Sequence, residues 1–243
     1  TPTMVPAWTS PAVEAGYEGY LPPTVDQRGL PRVTDADGDG YAYPDLGAVE
    51  RPAAVWVANL DDAGPGSLRQ ALADAPDDGV VVLPAFGEVR LTSGELVLNK
   101  SLRLRGPGRA QLAINAGNAS RVFSVLSSTT NWISGVTIRE GRTRDGDIGG
   151  FAADPPTSSA PGGGIHNAGT LVLNDCEIAF CGTGQGGWGE LERGANAGPG
   201  GGIYNRGSLF MTNCLMQGNY TGAGGDSTGA NGGNGGDGGA VSN

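Results

Sequence analysis

The chain has 243 residues and a formal net charge of −10, and its 45 glycines and 16 prolines make up about a quarter of it. The acidic balance and the lack of a basic cluster disfavour nucleic acid as a partner and adhesion to anionic membranes. No run of 18 apolar residues occurs, so no segment is expected to cross a membrane as a helix. Short β-branched runs recur between the glycines, which favours a folded chain over a flexible linker.

The first segment, residues 1–53, is rich in proline and acidic residues, and we expect it to close or cap a β-structure. Asp26, Arg28 and Arg32 lie within it. Ion pairs of this kind more often fix a local structure than carry out catalysis. We therefore predict a structural ion pair in this cap.

The same segment contains an acidic loop in which Asp35, Asp37 and Asp39 occupy alternate positions, and Asp45 follows. This spacing allows carboxylates to converge on one hard cation, as in the first half of an EF-hand loop. Because all the candidate ligands are oxygens, Ca²⁺ is the expected ion. The twelfth position holds Leu46 instead of the usual glutamate, so an acidic surface turn remains the alternative.

Residues 54–93 form a second segment, in which we expect strands and one short helix. Ser67 is the expected N-cap of a short amphipathic helix, because its hydroxyl can accept a hydrogen bond from the first helical turn. The predicted elements are a strand at 54–58, the helix at 67–75, and strands at 80–83 and 88–92.

From residue 94 to residue 243 we predict the coils of a right-handed parallel β-helix, an all-β fold. The phrase Gly-Gly-Gly-Ile-His-Asn at 162–167 recurs in related form at 200–205 and 238–243, a period of 38 residues. A fixed period with apolar residues at alternate positions is typical of a solenoid whose strands turn one face to a common core. A preceding coil is recognisable at 132–138, at a shift of 40.

The period also predicts which side chains lie above one another. Ile165, Ile203 and Val241 should form one core column, and the asparagines that end the three phrases should form a hydrogen-bonded ladder. Each repeat contains a long glycine-rich excursion, and these excursions should lie together on one side of the solenoid. They span 142–161, 182–199 and 220–237.

These patterns resemble a known family. The glycine phrases, with Leu-Phe-Met-Thr-Asn-Cys at 209–214 between them, resemble the right-handed β-helix repeats of bacterial polymorphic outer-membrane and adhesin-type surface proteins, and the run at 64–72 resembles the cap that opens such domains. The runs at 10–16, 25–32 and 45–50 resemble their closing segment, the choice-of-anchor Q region. In the family that segment follows the coils, whereas here it precedes them. The resemblance implies an extracellular or cell-surface β-helix.

The reversed order and the unfinished last coil together predict end-to-end assembly. An open coil exposes strand edges and core, which drive pairing with another chain, and head-to-tail contacts that do not close produce filaments. The leading expectation is therefore a secreted structural protein that forms a filament or surface layer with copies of itself. The residues expected at the contact are Ile203, Tyr204, Asn205, Val241, Ser242, Asn243 and, from a glycine-rich loop, Trp188.

Two other functions stay open: an adhesin that binds glycans, and a polysaccharide lyase or glycoside hydrolase. The coils contain no recurring carboxylate pair of the kind that a glycosidase needs, so no catalytic residue is predicted. The only histidine is His166, and the equivalent position holds Tyr in the second copy of the phrase and Ser in the third. A position that varies in this way is not expected to be a general base. Asn118 and Asn219 lie in glycosylation sequons. Cys176 and Cys214 should stack as a disulfide or as buried thiols.

Overall fold

The computed structural model describes residues 4–7, 10–16, 23–149, 155–190 and 193–243. The regular elements in this part of the chain are sixteen short strands and one helix, which lies near the start of the coils. The elements are β1 (Val55–Trp56), α1 (Leu68–Asp74), β2 (Gly79–Val82), β3 (Gly87–Arg90), β4 (Leu96–Leu98), β5 (Leu102–Arg105), β6 (Leu112–Asn115), β7 (Phe123–Val125), β8 (Thr130–Ser134), β9 (Thr137–Arg139), β10 (Ile165–Asn167), β11 (Thr170–Asn174), β12 (Glu177–Ala179), β13 (Ile203–Asn205), β14 (Ser208–Thr212), β15 (Leu215–Gln217) and β16 (Val241–Ser242).

These strands form a parallel β-helix, as the repeat predicts. The first sheet has the order β1-β2-β5-β8-β11-β14, the second β4-β7-β10-β13-β16 and the third β3-β6-β9-β12-β15. Within each sheet the paired strands run parallel, and most pairs join strands one coil apart. The chain therefore winds through three faces per coil around one core.

The 38-residue period sets the register of the later coils. Ile203 pairs with Ile165 on one side and with Val241 on the other, and Leu171 pairs with Leu209. The earlier coil pairs with the next one at the predicted shift of 40 residues, since Ile133 lies opposite Leu173. The core columns thus confirm the prediction made from alternating apolar residues.

The corners of the coil explain the first glycine of the repeated phrase. At positions 162, 200 and 238 this glycine has φ values of 73°, 72° and 66°. Such left-handed backbone strains most side chains, whereas glycine adopts it freely. Asp175 and Asn213 form a second left-handed corner at φ values of 51° and 52°, and these are among the residue types that best tolerate it.

Helix α1 closes the core at the amino-terminal end, as expected. Ser67 is its N-cap and its side chain accepts a hydrogen bond from the backbone amide of Gln70 at 3.2 Å. Leu68 and Leu72 are buried against the core. At the other end of the helix, the ammonium group of Lys100 donates to the carbonyl oxygen of Ala73 at 2.8 Å, where a cation is favoured.

The glycine-rich excursions stack in layers on one another, with residues 150–154 and 191–192 outside the described part. Gly189 pairs with Gly149 in the layer before it and with Ser227 in the layer after it. Hydrogen bonds also join the two halves of one layer, for example from the amide of Ala195 to the carbonyl oxygen of Gly187 at 3.0 Å. A Cβ atom on Gly187 would overlap the carbonyl oxygen of Asp147 in the neighbouring layer. Glycine is needed here for close backbone packing.

A column of threonines holds the base of these loops, and sequence reasoning did not identify it. Each hydroxyl donates to a carbonyl oxygen on the other side of its own loop. Thr143 also accepts a hydrogen bond from the amide of Gly184 in the next coil, at 3.0 Å. The sequence does contain a signal for this column, because the threonines recur at shifts of 40 and 38 residues, in step with the coils. The pairs are Thr143 with Ala160, Thr183 with Gly198 and Thr221 with Gly236, at 2.8, 2.7 and 2.8 Å.

Candidate functional site

The acidic loop brings four carboxylates together. One oxygen from each of Glu14, Asp35, Asp37 and Asp39 lies within 4.8 Å of the others. The loop bends around Asp35, whose carboxylate accepts hydrogen bonds from the amide of Gly38 at 2.7 Å and from further amides of the loop. The local sequence therefore folds so that its alternate aspartates converge, as their spacing predicted.

Glu14 takes the place in this group that Asp45 was expected to fill. Asp45 is buried, and its carboxylate accepts hydrogen bonds from the backbone amides of Glu14 at 2.8 Å and Arg51 at 3.0 Å. Its oxygens are engaged in positioning the backbone that carries Glu14. No local motif links Glu14 to the loop, which is why sequence reasoning missed it.

The charges in this cluster are poorly compensated. Burial raises the pKa of Glu14, and the negative charges of Asp37 and Asp35 add to this effect. Among the described residues, the ion pair to these four carboxylates joins Arg105 Nη1 to Asp37 Oδ1 at 3.6 Å. An all-oxygen set with this excess of negative charge is chemically suited to a hard divalent cation.

A buried ionic network lies beside the acidic loop, as the sequence predicted for this cap. Asp26 forms a bidentate contact with the Arg28 guanidinium, at 2.9 and 2.8 Å. Burial opposes its ionisation, but this contact and backbone amides, including that of Glu50, hold the pKa of Asp26 well below its usual range. Arg32 pairs with the buried carboxylate of Glu50 at 3.3 Å. These ion pairs and hydrogen bonds stabilise the segment.

The last coil differs from the one before it in how far its core is covered. Leu171 and Leu173 are completely buried, whereas their partners Leu209 and Met211 in β14 are partly exposed. Met216, opposite the buried Ile178, is also only partly covered. In this structure the coil made by β13 to β16 thus presents an edge of apolar side chains and strand backbone.

The residues expected at an assembly contact divide into two groups. Ile203 is completely buried and pairs with Val241 in the last strand. Tyr204 stacks on His166 with ring centroids 5.6 Å apart, and it is half-buried. The remaining expected residues of the edge, Asn205, Val241, Ser242 and Asn243, are at least partly exposed.

The asparagine ladder along this edge is confirmed. Asn167 donates through Nδ2 to Oδ1 of Asn205 at 2.7 Å, and Asn205 donates in the same way to Asn243 at 3.0 Å. Trp188, by contrast, lies in the loop layers and is half-buried. Its carbonyl oxygen accepts a hydrogen bond from Gly149 at 2.8 Å.

A second apolar surface lies on the segment before β1. Several of its large hydrophobic side chains point to solvent, whereas some of its ionic groups are buried, which inverts the usual arrangement. The segment is attached at the amino-terminal end of the coils, where Arg51 pairs with Asp78 at 2.6 Å. The exposed side chains are Val25, Leu30, Val33, Tyr41 and Leu46.

The sequons and the thiols occupy contrasting environments. Asn118 is exposed, whereas Asn219 donates to the carbonyl oxygen of Ile178 at 2.8 Å and accepts from the amide of Cys181 at 3.0 Å. All three cysteines are free thiols. Burial raises the pKa of Cys176 and of Cys181 to about 12, so neither is poised as a nucleophile.

Comparisons with protein-family models, with curated proteins and with solved structures give no match. Within the described residues, no helix has the length and apolar character needed to cross a bilayer. What the structure itself defines is a parallel β-helix with an acidic loop and two uncovered apolar surfaces.

Proposed function

We propose that this protein is an extracellular structural subunit whose molecules assemble end to end. The observation that carries the proposal is the partly uncovered core of the last coil. An edge of this kind is stable in water only when another coil or a cap lies on it. That cover can come from further residues of a longer chain or from a second molecule.

The segment before β1 is a suitable cover from a second molecule. Its exposed side, with Leu30, Val33 and Leu46, offers apolar surface to match the edge at Met211 and Met216. Its resemblance to the closing segments of β-helices supports this pairing. Because it lies at the opposite end of the molecule from that edge, the contact is head-to-tail and repeats into a filament.

The contact can be tested by blocking each surface separately. Met211→Glu places a charge on the open edge, and Leu46→Glu places one on the exposed side of the first segment. Phe210→Glu is the matched control, since Phe210 neighbours Met211 on β14 but points away from the core. Sedimentation velocity and electron microscopy of the native chain over a range of concentrations should show chains of subunits, and circular dichroism checks each fold.

Mixing gives the most specific result. Neither Met211→Glu nor Leu46→Glu should form chains alone, but an equal mixture should form dimers, because each variant keeps one intact surface. Phe210→Glu should assemble like the native protein. A native chain that stays monomeric at every concentration would refute self-assembly, and a mixture without dimers would refute the head-to-tail pairing.

We also propose that the acidic loop binds Ca²⁺ through Glu14, Asp35, Asp37 and Asp39. The four clustered carboxylates support this proposal. A cation that binds only the folded segment stabilises it by about 2.7 kcal/mol at a hundred times its Kd. The amides of residues 23–53 should therefore exchange more slowly when Ca²⁺ is added. A chelator should reverse this change, and the exchange rates of the coils should be the same in both conditions. Asp39→Asn should weaken this effect, and equal exchange with and without Ca²⁺ would contradict it.

A further inference from the structure

The outer face of the first sheet carries a continuous row of side chains in register. Alternate residues of each strand point outward, so neighbouring strands place these side chains side by side. The strand register pairs Arg103 with Trp132 and Trp132 with Val172. The full row is Val80, Arg103, Trp132, Val172 and Phe210.

A cavity of about 310 Å³ opens on this row at β5, β8 and β11. Apolar atoms form much of its lining, with Val80, Trp132 and Val172 among the lining residues. The Arg103 guanidinium lies 3.9 Å from the ring centroid of Trp132, a cation–π contact that holds both side chains in place. The cavity therefore has a preorganised and largely apolar floor.

The edge of the cavity is polar and contains both charges. Arg105 and Asp37 both line it, with Arg105 Nη1 3.6 Å from Asp37 Oδ1. Ser134 and the exposed Asn174 line it as well. Together these groups offer hydrogen-bond donors and acceptors around an apolar floor.

We propose that this cavity binds a neutral sugar unit of a glycan. A pyranose ring has an apolar C–H face and a rim of hydroxyl groups, which matches the floor and the edge. The volume lies at the lower end of the range for small-molecule sites, which suits one or two sugar rings. The proposal does not depend on end-to-end assembly.

The charge around the cavity selects for a neutral ligand. Asp37 belongs to the four-carboxylate cluster, so when no cation is bound there an anionic sugar entering beside it meets several like charges. A cationic sugar meets Arg103 and Arg105 instead. Hydroxyl groups can accept from the guanidinium and donate to the carboxylate without either penalty.

Calorimetric titration with maltotriose, cellotriose, chitotriose and the anionic trigalacturonate tests this assignment. At least one neutral trisaccharide should bind, and trigalacturonate should bind about tenfold more weakly or not at all. Trp132→Ala and Asn174→Ala should each weaken the neutral ligand by about tenfold. Phe86→Ala, an exposed aromatic residue outside the cavity, should bind as the native protein does.

Three results would overturn the proposal: no binding of any neutral trisaccharide, equal or tighter binding of trigalacturonate, or unchanged binding in both cavity variants. Thermal melting checks that each variant is folded. If Trp132→Ala fails to fold, Asn174→Ala still decides the matter, because its exposed side chain lies on the cavity edge and not in the core.

Discussion

Replacing Asn167 by alanine should destabilise the β-helix far more than the same change at the end of the ladder. The Asn167 side chain is completely buried. Its Nδ2 donates to Asn205 Oδ1 at 2.7 Å and to the carbonyl oxygen of Ser208 at 3.0 Å, and its Oδ1 accepts from the amide of Gly169 at 3.2 Å. It therefore joins two coils and also fixes the turn that follows β10.

The expected magnitude follows from these three hydrogen bonds. At about 1 kcal/mol each, their loss lowers the free energy of unfolding by about 3 kcal/mol, and unpaired buried groups add to this. For a chain of this size the melting temperature should fall by about 6 to 12 °C. Asn243→Ala, which loses one exposed hydrogen bond from Asn205, should lower it by about 2 to 4 °C at most.

Urea denaturation and thermal melting followed by circular dichroism provide the measurement. Asn167→Asp adds a second test, because a carboxylate cannot donate to Asn205 or Ser208 and would be buried beside their oxygens. Protonation restores one donor, so this variant should regain part of its stability as the pH falls. An Asn167→Ala variant that melts within about 2 °C of the native protein would show that the ladder contributes little.

Three further predictions use other parts of the coil. Leu171→Ala should cost about 3 kcal/mol and Leu209→Ala about 1 kcal/mol in the monomer, because only Leu171 is fully covered; equal costs in urea denaturation would contradict this. Gly187→Ala should cost about 1 to 3 kcal/mol by pushing into the carbonyl oxygen of Asp147, and hydrogen exchange in the loop layers should rise. Because the folded pKa of Asp26 lies below its unfolded value near ~3.9, its stabilisation is present at neutral pH and disappears as the pH falls below about 4. Asp26→Asn should flatten that part of the pH–stability profile, and an unchanged profile would count against the ion pair.

The coils could be predicted closely because their signal is periodic. A spacing of 38 residues with apolar residues at alternate positions determines both which strands pair and which side chains share a column. Adding 38 to a residue number gives its partner in the next coil, which correctly places Ile165 opposite Ile203 and Asn167 opposite Asn205. The left-handed corners are also visible in retrospect, as the first glycine of each phrase.

The acidic site and the loops could be predicted only in part. Glu14 joins the cluster through tertiary contacts with a buried Asp45, and neither residue carries a local pattern that reveals this. The role of the loop glycines is equally hidden, because composition does not distinguish a flexible linker from backbone packed against backbone. The cavity beside Trp132 depends on a wall supplied by Asp37, which is distant in sequence.

The layered loops have a consequence for how such a chain can change over generations. Gly149 pairs with Gly189 at a shift of 40, yet the returning strands of the coils, at Gly162 and Gly200, align at a shift of 38. The first loop therefore has two more residues than the second between these two positions. The paired parts of the loop on either side keep their register with the next layer. We therefore expect insertions and deletions to be accepted between the paired ends of a loop, whereas a change of length in the paired part would break the register between layers.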